Sequence, residues 1–334
     1  MTTTSPMIGM AMTGSGSAVP EQTIDNDSLG QVVDTSDEWI ATRTGIRQRR
    51  AIGLTGSLVE LATQAGAQAI ASAGIEASAI DLIILATSTP DDLFGSAGQV
   101  QANLGATRAA AFDLTAACSG FVFGLVTAAQ YIRTGAYQNI LLIGADVLSR
   151  WVDWGDRRTC ILFGDGAGAV VLQANSTDQL LGFSLHSDGL LNHQLNLTYQ
   201  AAAKPLLPGV ELSDGEFQKV TMNGQEVYRF AVRRVPEVIE KALFQAQLQT
   251  TDIDWLVLHQ ANQRILDAAA QRLSIPPEKV LSNLANYGNT SAATIPIVLD
   301  EAVRSGKVQP GHCLAMAGFG AGLSWGGAIV RWGK

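Results

Sequence analysis

The sequence is poor in charged residues and in cysteine, and each shortage excludes a class of protein. Charged residues make up 16% of the 334 residues, and the formal net charge is −8. General nucleic-acid binding is excluded, because neutralising phosphates needs a broad basic surface. The three cysteines lie far apart, which excludes a disulfide framework and CxxC-type metal spacing. We therefore expect a reducing compartment, either the cytoplasm or one like the plastid stroma.

Targeting and membrane-spanning segments are also missing. The first residues, MTTTSPMIGMAMTGSG, have neither the basic region nor the long apolar region of a signal peptide. Residues 114–132 are uncharged, but polar side chains such as Thr115, Ser119 and Gln130 interrupt them. We predict a buried helix in that segment and no membrane span.

Cofactor motifs are lacking as well. The glycine run Gly164–Gly168 precedes an apolar strand, whereas a dinucleotide fingerprint follows a strand and opens a helix. No glycine loop leads into a Walker lysine. His186, His193 and His312 have no partners at ligand spacing, so we expect no metal and no nucleotide cofactor.

What is present is a repeated pattern. Residues 69–85 align without a gap with residues 242–258 at an offset of 173. The Arg-Thr-Gly at 133–135 matches Arg-Ser-Gly at 304–306 at an offset of 171, and the strand at 140–144 matches that at 313–318 at 173. The glycine-led strands at 166–172 and 325–330 also correspond. We infer a duplication, with one half at 1–174 and the other at 175–334.

Each half alternates helical patterns with near-continuous runs of Ile, Leu and Val. Such strands are buried on both faces, which indicates a layered α/β fold. In such folds, functional groups collect where the carboxyl ends of strands lead into loops and helices.

Cys118 lies at such a point. Residues 109–114 predict a strand, and the segment from Ser119 to Gly135 predicts the helix that follows it. The amino terminus of a helix stabilises a thiolate, the nucleophilic form of cysteine. The alternative is that Cys118 is simply a small buried residue.

The duplication adds two partners. The offset of 171 carries Cys118 onto Asn289, and the offset of 173 places His259 at the end of a buried strand. Either residue alone could be an ordinary core residue. Together with backbone N–H groups of Gly318–Gly326, the three side chains suit acyl transfer through a thioester. Papain-like hydrolysis also uses Cys, His and Asn, but its local cysteine motif is absent here.

Several longer motifs carry a family resemblance. They are DTSDEWIATRTGI, FDLTAACSGF, DRRTCILFGDGAGAVVL, DWLVLHQANQRI, YGNTSAATIP and GFGAGLSWG. In this order, from about Met7 to Trp332, the sequence resembles the β-ketoacyl-[acyl carrier protein] synthase III family. These condensing enzymes have the thiolase fold and start bacterial and plastid fatty-acid synthesis.

The resemblance implies a fold and a reaction. The fold would be two duplicated α/β halves in an αβαβα arrangement. Cys118 would take the acetyl group of acetyl-CoA, and decarboxylation of malonyl-acyl carrier protein would supply the carbanion. His259 and Asn289 would donate hydrogen bonds to the malonyl thioester. The N–H groups of Cys118 and Ala321 would hold the second oxyanion. The family more often has glycine at the latter position, so a positive φ there would strain Ala321.

The resemblance also implies a coenzyme A tunnel. Trp39 and Arg157 would stack about the adenine, Arg43 would reach the phosphates, and Asn262 would contact the pantetheine arm. Phe319 would line the same path. Arg158 replaces a smaller residue of the family and would alter the tunnel mouth.

Two helix starts are predicted near these groups. Thr35 and Glu38 have capping-box spacing, and the segment from Asn223 to Glu226 predicts another helix start.

Four arginines predict a basic rim that steers the acidic carrier protein. They are Arg229, Arg233, Arg264 and Arg272. The alternative is ordinary surface arginines.

The family forms homodimers, in which Phe94 would close the partner subunit's acyl pocket and favour acetyl. Two other functions stay open at this point: a condensing enzyme of a specialised polyketide or quinolone pathway, and a non-catalytic acyl-binding module.

Overall fold

A computed structural model describes residues 8–333. Residues 1–7, the first part of the segment searched for a signal peptide, lie outside the described residues. The strands are β1 (Gly9–Ala18), β2 (Thr23–Asp25), β3 (Gln48–Arg50), β4 (Leu82–Ala86), β5 (Ala110–Leu114), β6 (Asn139–Val147), β7 (Asp165–Asn175), β8 (Leu180–Ser187), β9 (Leu195–Asn196), β10 (Tyr199–Leu207), β11 (Val210–Phe217), β12 (Thr221–Met222), β13 (Trp255–Leu258), β14 (Cys313–Gly320) and β15 (Ser324–Arg331). The α-helices are α1 (Asn26–Leu29), α2 (Asp37–Thr44), α3 (Leu58–Ala73), α4 (Ala97–Leu104), α5 (Gly120–Arg133), α6 (Gly224–Ala246), α7 (Gln263–Arg272), α8 (Leu284–Tyr287) and α9 (Thr294–Arg304).

Two mixed sheets form the centre of the molecule. The first has the order β1-β7-β6-β4-β5, and the second has the order β8-β15-β14-β13. In the first sheet, β1-β7 and β7-β6 pair antiparallel and β6-β4 pair parallel. In the second sheet, β8-β15 and β15-β14 pair antiparallel and β14-β13 pair parallel. A fifth strand is reduced in the second sheet to one parallel bridge between Leu256 and Val280. The strand order is therefore repeated with one strand missing.

Helices cover and separate the sheets. Helix α3 packs on β1, β7 and β6, whereas α6 packs on β8, β15 and β14. Between the sheets, α5 contacts β6 and β4 on one side and β14 and β15 on the other, and α9 contacts β1, β7 and β13. The predicted αβαβα layering is confirmed. Since one buried cluster joins residues of both sheets across α5 and α9, the boundary at 174 and 175 stays a prediction.

The register of the repeat differs from the prediction at one strand. Ile140 and Leu142 of β6 point into the core between the sheets, and so do Leu314 and Met316 of β14. The offset there is 174, so the predicted 173 is wrong by one residue. A shift by one residue would turn every side chain of a strand to its opposite face.

The helices that follow change the offset again. Helices α5 and α9 begin 174 residues apart and end 171 residues apart, because α9 is three residues shorter. The carbonyl of Cys118 lies against Gly318, and that of Ala292 lies against Gly144. The structural counterpart of Cys118 is therefore Ala292, and the predicted equivalence with Asn289 is wrong.

Local predictions at the helix starts have mixed outcomes. Ser36, not Thr35, caps α2, with its Oγ accepting the N–H of Trp39 at 3.1 Å. The predicted Thr35–Glu38 capping box is therefore wrong. Asn223 caps α6 as predicted, accepting the N–H of Glu226 at 3.4 Å.

The remaining segments agree more closely. Helix α5 ends before Gly135, which has a φ of 74° and terminates the helix as predicted. The glycine run at 164–168 was predicted to precede a strand, but all of it except Gly164 lies within β7. In the described part of the chain, no helix is both long enough and apolar enough to cross a membrane.

Candidate active site

One cavity of about 1120 Å³ connects the predicted catalytic residues with the predicted coenzyme A-binding residues Trp39, Arg43, Arg157, Asn262 and Phe319. Its buried part is lined by Cys118, His259 and Asn289, which are at most 8% exposed. Trp39 and Arg157 line a more exposed part. The cavity therefore joins a shielded reactive centre to a surface with two planar groups suited to stacking.

Cys118 occupies a one-turn 3₁₀ segment, Ala117–Ser119, between β5 and α5. Ala117 has a φ of 46°, so the chain turns sharply just before the cysteine. The Ser291 hydroxyl donates a hydrogen bond to Cys118 Sγ at 3.3 Å. Burial nevertheless raises the pKa of the thiol to about 12. The predicted stabilisation of a thiolate by the helix terminus is outweighed by desolvation, and the resting residue is a thiol.

His259 follows β13 directly. Its N–H donates to the carbonyl of Ala317 at 2.8 Å, which fixes the backbone against β14. Its Nδ1 is 2.7 Å from the Thr294 hydroxyl, and its ring meets Phe319 edge to face at 5.3 Å. Burial lowers the pKa of His259 to about 3. The imidazole is therefore neutral and presents a single N–H.

Asn289 is held by both its backbone and its side chain. Its N–H donates to Leu162 and its carbonyl accepts from Gly164, at 2.8 and 3.0 Å. Its Oδ1 accepts the N–H of Ser291 at 2.8 Å. The acceptor end of the amide is thus occupied, and the Nδ2 group remains as a donor for a ligand in the cavity.

The second oxyanion site is close to Cys118. A Cβ on Gly320 would lie 2.5 Å from the Cys118 nitrogen, so only glycine allows this close approach. Ala321 follows and lines the cavity. The positive φ angles occur instead at Gly322 (71°) and Leu323 (43°). Ala321 does not have a positive φ, so the condition for strain at that residue is not met.

The predicted adenine site is already filled by side chains. The guanidinium groups of Arg43 and Arg157 lie 4.4 and 5.1 Å from the Trp39 ring centroid. Arg157 also donates to the carbonyl of Asp34 at 2.7 Å. An adenine between Trp39 and Arg157 needs about 7 to 8 Å, two stacking contacts, so Arg157 must move outward to admit one.

Two other tunnel residues are engaged within the chain. Asn262 caps α7 through Oδ1, which accepts the N–H of Arg264 at 2.9 Å, and its Nδ2 donates to the carbonyl of Arg43 at 3.1 Å. Arg158 lines the cavity but forms a two-pronged ion pair with Asp156 at 2.9 Å. Both residues join the cavity wall, and their predicted ligand contacts stay predictions.

Phe94, predicted to close the acyl pocket of a partner subunit, lies on the surface. Phe94 is 99% exposed and does not line the cavity of its own chain, whereas its neighbour Leu93 does.

The four rim arginines lie on or beside α6 and α7. Arg229 pairs with Glu226, and Arg272 lies 3.9 Å from Glu240. Arg264 donates to the carbonyl of Thr42. Among residues 8–333, Arg233 has no ion pair, so part of the predicted positive charge is neutralised locally.

The sequence patterns did not identify three residues that organise the site. Ser291 and Thr294 bond to Cys118 and His259, and both stand inside the quoted motif YGNTSAATIP. Asp146 accepts hydrogen bonds from Ser88 and Thr89 and from the N–H of Ala292, which ties the Ser291 turn to the end of β4. A lone acidic residue in an apolar strand was the available clue.

Within residues 8–333, no three His, Cys, Asp or Glu side chains are grouped so that they could hold a metal ion.

The sequence matches two family models and is similar to proteins of known family. Residues 112–189 match the model for 3-oxoacyl-[acyl-carrier-protein] synthase III, and residues 243–332 match that for its C-terminal region. A β-ketoacyl-[acyl-carrier-protein] synthase III from a Nostoc species is 71% identical over 327 residues, covering 98% of this chain and 99% of that protein. The chain belongs to the β-ketoacyl-[acyl-carrier-protein] synthase III family. The predicted resemblance is confirmed.

Solved structures of the family agree. The 3-oxoacyl-[acyl-carrier-protein] synthase III of Aquifex aeolicus superposes with a TM-score of 0.89 at 41% identity, covering 97% of this chain and 100% of that one. The priming β-ketosynthase of the R1128 polyketide pathway also superposes with a TM-score of 0.89, at 32% identity, covering 98% and 97%. The predicted thiolase fold is thereby confirmed.

Proposed function

We propose that this chain is the condensing acyltransferase that initiates type II fatty-acid synthesis. It joins acetyl-CoA to malonyl-acyl carrier protein and releases acetoacetyl-acyl carrier protein, CO2 and CoA. The observation that carries the proposal is a buried thiol, Cys118, in one cavity with two neutral hydrogen-bond donors, His259 and Asn289. The family membership supports the same reaction.

The first half-reaction transfers the acetyl group. Cys118 sulfur attacks the thioester carbon of acetyl-CoA, a new S–C bond forms, and the bond to the CoA sulfur breaks. The thiol proton of Cys118 leaves on CoA. Ser291 donates to the sulfur and helps it to carry negative charge as the proton departs. The N–H groups of Cys118 and Ala321 hold the carbonyl oxygen of the tetrahedral intermediate.

The second half-reaction forms the carbon–carbon bond. The malonyl carboxylate leaves as CO2, and its bonding electrons remain as an enolate. His259 and Asn289 donate to the thioester oxygen, where the charge of the enolate collects. The enolate carbon then attacks the acetyl carbon, the bond to Cys118 breaks, and the sulfur takes up one proton from solvent. Neutral donors suit this step, because a carboxylate nearby would oppose the developing charge.

Product analysis tests the proposal. Incubation of the protein with acetyl-CoA and malonyl-acyl carrier protein is expected to give acetoacetyl-acyl carrier protein with one CO2 and one CoA per product. The Cys118→Ala variant is the control and is expected to give no condensation. Binding of acetyl-CoA without product would leave only an acyl-binding module, and product from other starters alone would favour a specialised pathway.

Assembly as a homodimer is part of the proposal. Strand β5 is the edge of the first sheet and pairs only with β4 among the described strands, and its residues are half-buried or exposed. An open edge of this kind favours pairing across a two-fold axis. Phe94 is then available to close the acyl pocket of the partner subunit and to limit the starter to acetyl.

The substrate contacts complete the proposal. Coenzyme A is a substrate of this reaction and binds to Trp39, Arg43, Arg157, Asn262 and Phe319. The proposed steps use neither a metal nor an organic cofactor. The rim of Arg229, Arg233, Arg264 and Arg272 receives the carrier protein. We place the reaction in the cytoplasm, which suits three free buried cysteines.

A further inference from the structure

The His259 ring makes one side-chain hydrogen bond among the described residues. Its Nδ1 lies 2.7 Å from the Thr294 hydroxyl. Within the described residues, its Nε2 has no hydrogen-bond partner, although the side chain lines the cavity. One ring nitrogen of His259 therefore hydrogen-bonds to the protein, and the other is available to a substrate.

The Thr294 hydroxyl has one proton and two neighbouring acceptors. One acceptor is Nδ1 of His259, and the other is the carbonyl of Ser291, at 2.9 Å. That carbonyl already accepts the backbone N–H of Thr294, which begins α9. Nδ1 has no other donor among the described residues, so it gains more from the hydroxyl proton than the carbonyl does.

The neutral state of the ring turns this preference into a choice of tautomer. Because His259 is buried and uncharged, only one of its nitrogens carries hydrogen. A proton donated to Nδ1 places the ring hydrogen on Nε2. The opposite arrangement would leave Nε2 as a bare acceptor facing the cavity, which suits a general base and not an oxyanion donor.

We infer that Thr294 is a positioning residue that holds His259 as the Nε2–H tautomer, so that the ring donates to the malonyl thioester oxygen. This inference rests on the proposed function and assigns the residue that makes one of its donors competent. Ser291, in the same turn, bonds to Cys118 instead. The two hydroxyls of one turn thereby serve different half-reactions.

Three variants separate these roles. Thr294→Val keeps the shape and removes the hydroxyl, whereas Thr294→Ser keeps the hydroxyl and removes the methyl group. Ser291→Ala is the matched control, because it removes a hydroxyl of the same turn that does not contact His259. Each is compared by acetylation from acetyl-CoA, by decarboxylation of malonyl-acyl carrier protein, and by ¹⁵N NMR of the imidazole, assigned by its loss in His259→Ala.

We expect Thr294→Val to lose about 10- to 100-fold in decarboxylation, the size of effect seen when an orienting partner is removed. Acetylation is expected to stay within about threefold of the parent, and the NMR signal is expected to move toward the Nδ1–H tautomer. Thr294→Ser is expected to restore both decarboxylation and tautomer. Ser291→Ala is expected to slow acetylation and to leave the tautomer unchanged.

Three results would overturn the inference: a Thr294→Val ring that remains Nε2–H, equal loss in both half-reactions, or Thr294→Ser as impaired as Thr294→Val. The last would show that the methyl group matters and not the hydroxyl. If the parent protein decarboxylates no malonyl thioester, the proposed function fails. The tautomer in parent and variants still decides the role of Thr294 in that case.

Discussion

The two halves of the molecule place similar turns at similar points but equip them differently. Ala117–Ser119 precedes α5, and Ser291–Ala293 precedes α9. Each turn begins at a residue with positive φ, 46° at Ala117 and 54° at Ser291. The first turn carries the thiol, whereas the second carries Ala292 at the matching place and a serine that bonds to the thiol.

The strands before these turns differ in the same way. Strand β4 is followed by Thr87, which together with Ser88 and Thr89 donates hydrogen bonds to Asp146, whereas β13 is followed by His259. In the proposed reaction, the first half holds the nucleophile, and the second half supplies the two donors and the hydroxyls that contact His259 and Cys118. The repeated strand order is what the inferred duplication predicts, and the proposed reaction would be divided between the two repeats.

The largest expected effect is that removing a donor side chain of the second half slows decarboxylation much more than it slows acetylation of Cys118 in the first half. His259→Ala and Asn289→Ala are expected to reduce malonyl decarboxylation by about 10²- to 10³-fold, the usual cost of removing an oxyanion donor. Acetylation of Cys118 is expected to fall far less, because that step uses backbone donors. Measuring each half-reaction separately checks this. Equal losses would assign His259 as the base that activates Cys118.

Two equivalent glycines compare the packing of the turns. A Cβ on Gly144 would lie 2.2 Å from the Ala292 carbonyl oxygen, and one on Gly318 would lie 3.1 Å from that of Cys118. Gly144→Ala is expected to destabilise the fold by about 3 kcal/mol, and Gly318→Ala by about 1 kcal/mol. Urea unfolding of both variants measures the difference. Equal midpoints would refute the unequal approach of the two turns.

The protonation of Cys118 gives a pH dependence. Because burial raises its pKa to about 12, the thiolate fraction is expected to grow about tenfold per pH unit throughout pH 6 to 9. The rate of alkylation by iodoacetamide is expected to follow without levelling off. Titration of His259 is expected to leave no inflection near pH 6.5, since its pKa is about 3. A plateau below pH 8 would mean that the helix terminus outweighs burial.

Chain-length preference is the smallest expected effect. Phe94→Ala is expected to shift acyl-enzyme formation about threefold or more from acetyl-CoA toward butyryl-CoA and hexanoyl-CoA, because overfilling a packed pocket costs about 1–3 kcal/mol. Leu93→Ala is a useful comparison, since Leu93 lines the pocket of its own chain. An unchanged preference in Phe94→Ala removes that residue from the pocket, and a monomeric mass refutes the contact between subunits.

The sequence predicted the elements better than their alignment. The strand, turn and helix around Cys118 followed from apolar runs and from Gly135, and the strand before His259 followed in the same way. The offset changes by one residue at β14, and α9 is three residues shorter than α5. Neither difference can be recognised from the residue types, so Cys118 was matched to Asn289 instead of Ala292. The family resemblance named five coenzyme A-binding residues, and all five line the cavity: Trp39, Arg43, Arg157, Asn262 and Phe319. Their contacts with a substrate stay predictions.

Side-chain hydroxyls were the hardest part to predict. Ser291 and Thr294 stand in a turn where Ser and Thr are common for local reasons, so nothing in the pattern pointed to Cys118 or His259. The choice between Thr35 and Ser36 as the cap of α2 is a similar case, since adjacent hydroxyl residues differ only in backbone conformation. The Ser291–Cys118 contact joins the two halves across 173 residues, whereas Thr294 and His259 are 35 residues apart within the second half.

The most direct test of the central claim is the site of the acyl-enzyme. The intact protein, incubated with acetyl-CoA alone, is expected to gain the mass of one acetyl group, and peptide mapping is expected to place it on Cys118. Cys118→Ala is expected to gain none, whereas Cys160→Ala and Cys313→Ala are expected to be acetylated normally, because both residues are buried outside the cavity. Acetyl found on Cys160 or Cys313, or persisting in Cys118→Ala, would contradict the account.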